Sequence, residues 1–367
     1  MKNIFSLQPN VDDFIPALEE EKVQAAKMRP AASFWKDGFK RLLHNPIAIV
    51  CISIVVLLIL IAIFLPMVWP YSYSEQLAVN TYGSDQAYLD WVTNINGGQA
   101  SDFANLKPFQ YSAYEQYLRS NGEFVFPHFF GTDDLGRDYF IRTVFGLRVS
   151  LSVGFFASII VFIIGTIYGA VAGFFGGKVD MVMMRIVDVI YSLPDMLIII
   201  LLSVVLKETL TKSIEGTWLE SVGVGMISIF IVYGLLYWVG MARMVRGQIM
   251  AIKKQEFVLA ARTIGTPSVT IIFKHLIPNC VSIIIVMTAL QIPSAIFTES
   301  FLSYVGLGVA APMPSLGSLA SAASDLTIMK NYTYRLYVPA LTICMIVLSL
   351  NLLGDALRDA FDPRLRK

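Results

Sequence analysis

Charge is in short supply in this sequence. Lysine, arginine, aspartate and glutamate together make up 15% of its 367 residues, where soluble domains carry roughly a quarter. The shortfall is concentrated in long uncharged blocks, which excludes an ordinary water-soluble chain and points to an integral membrane protein. Histidine and cysteine are scarce as well, three of each. His44, His128 and His275 stand far apart and match no metal-ligand spacing. Cys51, Cys280 and Cys344 fall in or beside apolar runs, as small packing residues rather than a disulfide set. The net charge of +1 comes with no basic tract, so nucleic acid is not an expected partner. A phosphate-binding loop is missing too: Gly177-Lys178 is followed by Val179 and lacks the leading glycine. No nucleophile has an evident base beside it. No catalytic residue, metal site or cofactor is therefore expected.

What is abundant is apolar length. Hydrophobic residues are 56% of the chain and the mean hydropathy is +0.63. The first uncharged run, about Pro46 to Trp69, meets the ~20 apolar residues a bilayer requires. Trp69, Tyr71 and Tyr73 form an aromatic collar at its far end. Further spans are expected at about Val149–Phe175, Met183–Leu206, Ser221–Ala242, from Val281, and at Tyr337–Leu353. Before the first span lies a polar leader, 1–45. Its stretch SFWKDGFKRLLH, Ser33 to His44, suits a short helix on the inner membrane face. A cleaved secretory leader is not expected: the polar stretch is too long, and no small-residue cleavage site follows the apolar run.

Inside the spans a few features stand out. Gly165, Gly169 and Gly173 recur every four residues, an arrangement that lets helices pack backbone to backbone. Arg185 and Asp188 lie three apart and share a helix face, so a pairing near the inner surface is expected. Pro194 is expected to kink the third span where Asp195 sits. Membrane carboxylates cost about 2.5–3.5 kcal/mol on insertion scales and usually face a bundle interior or water. Asp195, Gln291 and Glu299 are accordingly candidates for a translocation path, with structural pairing as the other reading.

The stretch that organises the rest is EFVLAARTIGTPSVTIIFKHLIPN, Glu256 to Asn279. It is polar enough to lie in water, yet sits between two membrane-length spans. Glu256 to Ile264 favours helix, with a carboxylate in the first turn and Arg262 near the last. Gly265 follows as a C′ residue in the left-handed conformation. Thr266 is expected to cap a second helix that has Pro267 at its first position, and Pro278-Asn279 to end it. Ala260-Ala261 offer a flat face with little side chain. On the residues alone two readings stand: helices made to press into a groove on another protein, or an amphipathic loop lying on the membrane surface.

The pattern E-x-V-x-A-A-R-x-x-G followed by I-I-x-x-H-x-x-P-N resembles the EAA loop of ABC-importer permeases, most closely the C-type subunits of oligopeptide and dipeptide uptake systems. Three more stretches resemble the same family in order: GTDDLGRD (Gly131–Asp138), ESFLSYVGLG (Glu299–Gly308) and the tail GDALRDAFDPRLRK (Gly354–Lys367). The glutamate that gives the loop its name is Leu259 here, while Glu256 is kept, so a carboxylate contact at 259 is out of the question. The resemblance implies an all-α polytopic membrane protein with six transmembrane helices in the type I (MetI-like) permease fold. An extracytoplasmic segment, 71–145, is inserted between the first span (46–70) and a five-helix core (146–354); a cytoplasmic tail, 355–367, closes the chain. It implies coupling helices at 255–279 in which Glu256, Ala260, Ala261, Arg262 and Gly265 meet the ATPase. The implied partners are a homologous B-type permease subunit, two ABC ATPase subunits that bind the ATP, an extracytoplasmic peptide-binding protein and the lipid bilayer. The implied location is the bacterial cytoplasmic membrane. Nickel or oligosaccharide importers of the same architecture are the alternative. A secondary transporter would show more spans and an internal repeat.

Orientation follows from the bias of lysine and arginine toward the inside. With both termini inside, the leader, the 176–186 turn, the 243–279 loop and the tail face the cytoplasm. The 74–140 segment then faces outward, as a contact for the delivery protein or as a cap over the bundle.

Overall fold

The computed structural model describes residues 34–77, 103–214, 216–217, 223–309 and 313–361. Among these, helices α1 (Phe34–Leu42) and α2 (Pro46–Val68) open the chain. Asn45 starts α2 by accepting from the N–H groups of Ile47 at 3.0 Å and Ala48 at 3.4 Å, and Pro46 occupies the first turn, where its missing N–H costs nothing. Val50, Leu57, Leu60 and Phe64 of α2 are exposed. Such a surface suits lipid or the cover of another apolar helix, because α2 satisfies its backbone internally and is apolar on all sides. Among the described residues, five helices are long and apolar enough to cross a membrane, or up to six if one bent pair is a single broken span.

The core is α4 (Tyr139–Phe175) laid along α7 (Val224–Ile252). A Cβ on Gly165 would sit 2.6 Å from Cβ of Met241, and one on Gly173 would sit 2.9 Å from the carbonyl of Arg246. The four-residue glycine stripe thus lets the two backbones touch, as its spacing suggested. Around this pair Ile199, Ile229, Tyr233, Ile249 and Leu302 are buried together. A second apolar cluster, Ala62, Leu147, Ile296, Leu316, Ile346 and Leu350, joins α2, α4 and α10 (Val281–Tyr304) to α11 (Leu316–Ala322) and α13 (Tyr334–Phe361). α1 lies against the end of α13, with Phe39 edge-on to Phe361 at 6.0 Å.

Several helix ends differ from the sequence expectation, and at α4 and α7 charge pairing is the reason. α4 begins at Tyr139 instead of Val149, because Asp138 caps it (Ile141 N–H, 3.0 Å) and buried Arg142 is neutralised by Asp133 at 3.3 Å. α7 continues past Ala242 to Ile252, with Arg243 bonded to Asp188 at 2.8 Å and Arg246 bonded through two nitrogens to Asp180. Asp188 therefore pairs with Arg243 and not with Arg185, which is exposed. The third span is broken outright. α5 (Gly177–Tyr191) and α6 (Asp195–Ile214) meet at 86° across Ser192, Leu193 and Pro194. α13 runs beyond Leu353 to Phe361, where Ala356, Ala360 and Phe361 pack on Leu42 and Ala48.

The segment between the first two spans, in its described part 103–138, is knitted to the bundle. α3 (Ala113–Ser120) carries a capping box between Ser112 and Glu115. Asp133 accepts from the N–H groups of Leu135 and Arg137, each at 2.9 Å, which folds GTDDLGRD into the turn that launches α4. Arg335 at the head of α13 donates to Asn105 at 2.8 Å and to the carbonyl of Thr132, and Arg142 donates to the carbonyl of Tyr73 at 2.9 Å. The described residues are thus bonded to the ends of the spans; most of the remainder of the segment, 78–102, lies outside them.

Candidate functional site

α8 (Glu256–Thr263) leaves α7 after a short turn, with Glu256 in its first turn and Arg262 in its last. It ends in a Schellman motif. Thr266 N–H donates to the carbonyl of Ala261 at 3.1 Å, and Gly265 N–H to that of Arg262 at 3.0 Å. Gly265 itself takes φ +77°, with open space where a Cβ would stand. The second helix, α9, starts one residue later than expected: Pro267 is its N-cap position and no side chain caps it, so Thr266 serves only through its backbone N–H. α9 comprises Ser268–Thr270, a π-helical stretch Ile271–Leu276, and Ile277–Asn279. It closes at Asn279, directly after Pro278, where the Pro278-Asn279 pair is expected to end it. The wide π turn leaves room for a residue without an N–H, and the chain passes through a turn at Cys280 into α10.

Burial divides the two helices into an inner and an outer face. Val258, Ala261, Ile271, Ile272 and Leu276 are buried in the main core. Ala261 is thus spent on this chain's own packing and is not half of a flat docking face. The face turned outward on α8 is Glu256, Leu259, Ala260 and Thr263, at the i, i+3, i+4, i+7 positions of one helical stripe. It continues into Ile264, 82% exposed, and into Val269 and Phe273. Arg262 lies with its guanidinium 4.9 Å from the ring centre of Phe174, tying α8 to the inner end of α4.

Beneath these helices sit residues that sequence reasoning missed. Lys253 donates to the carbonyl of Gly173 at 2.7 Å and to that of Phe174 at 3.3 Å, which closes the last turn of α4. With the Asp180–Arg246 and Asp188–Arg243 pairs it clamps α4, α5 and α7 together under α8. The partners are separated by 55 to 80 positions, so no local spacing announces them.

The three path candidates are not brought together. Asp195 is exposed at the broken span, beside a cavity of about 160 Å³ lined also by Tyr191, Leu236, Tyr237 and Gly240. Gln291 is half-buried in α10, and its Nε2 has no hydrogen-bond partner among the described residues. Glu299 is fully buried, accepting from Ser150 at 2.8 Å, Ser303 at 2.7 Å and Ser300 at 3.4 Å. It cross-links α4 to α10.

At the opposite end of the bundle from α8, buried His128 stands between two carboxylates, Nδ1 2.7 Å from Asp138 and Nε2 2.9 Å from Glu115. Both contacts can be hydrogen bonds only if both ring nitrogens carry protons. Burial works against that charge, but the bonds and charges of Asp138 and Glu115 outweigh it and push the pKa up to about 9.

The chain matches two family models. One, described as a binding-protein-dependent transport system inner membrane component, covers residues 165–367. The other, the N-terminal transmembrane domain of oligopeptide transport permease C, covers residues 33–87. The chain is 39% identical over 339 residues to the oligopeptide transport system permease protein OppC of Bacillus subtilis, covering 92% of each chain. It is 37% identical over 366 residues to the dipeptide transport system permease protein DppC of the same organism, covering 98% of this chain and 97% of that one. It is 35% identical over 262 residues to the glutathione transport system permease protein GsiD of Pectobacterium atrosepticum, covering 71% and 81% respectively.

Proposed function

The chain belongs to the family of binding-protein-dependent transport permeases, among the oligopeptide and dipeptide C-type subunits, and from that premise we propose that it forms half of a peptide-uptake pathway whose ATP is spent by other chains. It is a multi-pass membrane component and not the catalytic one. In this reading it pairs with a homologous B-type subunit, receives peptides from an extracytoplasmic binding protein, and is driven by two cytoplasmic ATPase subunits. It lies in the bacterial cytoplasmic membrane with both termini inside, which puts α8 and α9 on the ATP side.

The observation that carries the reading is the division of α8–α9 into two faces. Leu259, Ile264, Val269 and Phe273 present apolar surface to the outside, with Glu256 at one end. On the other face Val258, Ala261, Ile271 and Leu276 are locked into the bundle. A push on the outer face is therefore passed to α4, α7 and α10 without slack. ATPase closure acts by making contacts that differ between two bundle packings, since only a differential contact shifts an equilibrium. Moving such an equilibrium from 1:99 to 99:1 takes about 5.5 kcal/mol. Glu256 supplies an acid for a basic group on the partner, Ala260 permits close approach, and Gly265 fixes the angle between the helices. Along the route, Asp195 at the break in the third span is the path residue the solute meets, with Gln291 on the neighbouring α10; Glu299 holds the wall behind them.

Glu256→Lys tests the docking. Purified through a tag on this chain, the complex is expected to lose ATPase subunits while keeping the B-type subunit. ATPase subunits recovered at unchanged yield would sink the assignment.

A further inference from the structure

We propose that the trough between α2 and α4 holds an anionic phospholipid of the outer leaflet, its phosphate on Arg148 and one acyl chain along the apolar walls. The trough has a volume of about 470 Å³ and is walled by Ile59 and Ile63 of α2, Leu151 and Phe155 of α4, and Ile292 of α10, with Arg148 as its sole charged wall residue. That volume lies within the range of small-molecule sites, about 300–1,000 Å³.

Arg148, like Arg185, faces no aspartate among the described residues, and it is the arginine that lines the trough. Arg137, Arg142, Arg243 and Arg246 each face an aspartate, and Arg335 is bonded to Asn105 and the Thr132 carbonyl. Arg148 is exposed, its guanidinium lies 5.8 Å from the Phe145 ring centre, and no carboxylate among the described residues pairs with it. A bare cation facing acyl chains is costly, so the position calls for an anion.

Depth identifies which anion. Trp69 packs on Phe140 at 4.5 Å and Tyr73 stacks on Phe145 at 3.9 Å. Aromatic rings of this kind mark headgroup level. Arg148 lies one turn further along α4, about 4.5 Å deeper, within reach of the headgroups for a long side chain. From Arg148 to Phe156 the wall runs about 12 Å toward the membrane centre. α2 passes antiparallel, so Ile63 is level with the cation and Val55 with the deep end. A cation at headgroup level with an apolar trough below it, open sideways to the bilayer, has the shape of one lipid molecule. The guanidinium fork suits two phosphate oxygens. Only the choice of leaflet rests on the orientation proposed above.

The assembled complex, moved into nanodiscs of phosphatidylglycerol or of phosphatidylcholine, is released for native mass spectrometry, which counts retained lipid without reference to transport. Wild type is expected to retain phosphatidylglycerol about fivefold better than Arg148→Gln, the change one basic residue makes at an anionic surface. Arg148→Lys should retain an intermediate amount, and Ser152→Phe, which fills the trough, should shed both lipids. Equal phosphatidylglycerol retention by wild type and Arg148→Gln would overturn the proposal. So would Ile63→Cys cross-linking to another polypeptide of the complex, because the trough would then seat a partner helix. Labelling Ser74→Cys from outside with an impermeant maleimide reads the orientation separately. Failure of that labelling would move the lipid to the other leaflet and leave the site itself standing.

Discussion

Replacing Gly265 separates a conformational requirement from a steric one. Its φ of +77° is the left-handed region, yet no atom lies within 4 Å of a Cβ placed there. A side chain therefore meets no neighbour, and the whole cost is backbone strain, about 1–2 kcal/mol for an ordinary L-residue and more for a β-branched one. A strain of that size lowers the population of the native turn about 5- to 30-fold relative to relaxed alternatives. The relaxed turn gives up the Thr266–Ala261 and Gly265–Arg262 bonds and swings α8 against α9. Since Val258 and Ile271 remain buried, assembly survives while the outer face is misaligned. In proteoliposomes holding equal amounts of complex, Gly265→Val is expected to cut binding-protein-dependent uptake by about that factor. Gly265→Asn, which tolerates the left-handed region, should stay near wild type. Full uptake by the valine variant would refute the reasoning. So would an equal loss in the asparagine variant, because backbone strain could not then be the cause.

Further outcomes are expected elsewhere in the fold. Gly169→Ala drives a Cβ into the carbonyl of Ala242, a backbone group that cannot step aside, and should cost about 1–3 kcal/mol of packing. Its readout is a lower melting temperature of the purified complex, and an unchanged one would contradict the tight α4–α7 contact. His128 has its pKa raised from 6.5 to about 9, so its contribution is complete below pH 6.5 and is lost as pH rises through 9. That shift corresponds to about 3 kcal/mol. Hydrogen exchange in 103–138, corrected for the intrinsic effect of pH, should accelerate across that window, and His128→Gln should abolish the dependence; a flat profile in wild type would exclude a charged His128.

The positions of most spans could be read directly, because a bilayer demands an apolar length that little else in a chain imitates. α2 and the start of α10 fall where the uncharged runs begin, and the stripe Gly165, Gly169, Gly173 packs as its spacing suggests. Gly265 was legible for a similar reason: a helix-ending glycine before a proline leaves the backbone few choices. Helix ends were not legible. Arg142, Arg243 and Arg246 look like exits from the membrane, but carboxylates distant in sequence neutralise them and the helices carry on. The depth of the break at Pro194, 86° instead of a kink, depends on how α5 is held against α7. In α8 the sequence identifies Ala260 and Ala261 as a pair, and only the packing on the core shows that Ala260 is exposed while Ala261 is buried.

The clasp made by Arg335, Asn105, Thr132 and Tyr139 has a mechanical corollary. It fastens one end of the first, second and last spans into one plate, with Trp69, Phe129 and Phe140 as its rivets. Parts so fastened cannot splay from one another while the clasp holds. In the orientation proposed above, a doorway to the exterior would open away from this plate, where the elbow at Pro194 and the π turn at Tyr233–Tyr237 interrupt two neighbouring helices.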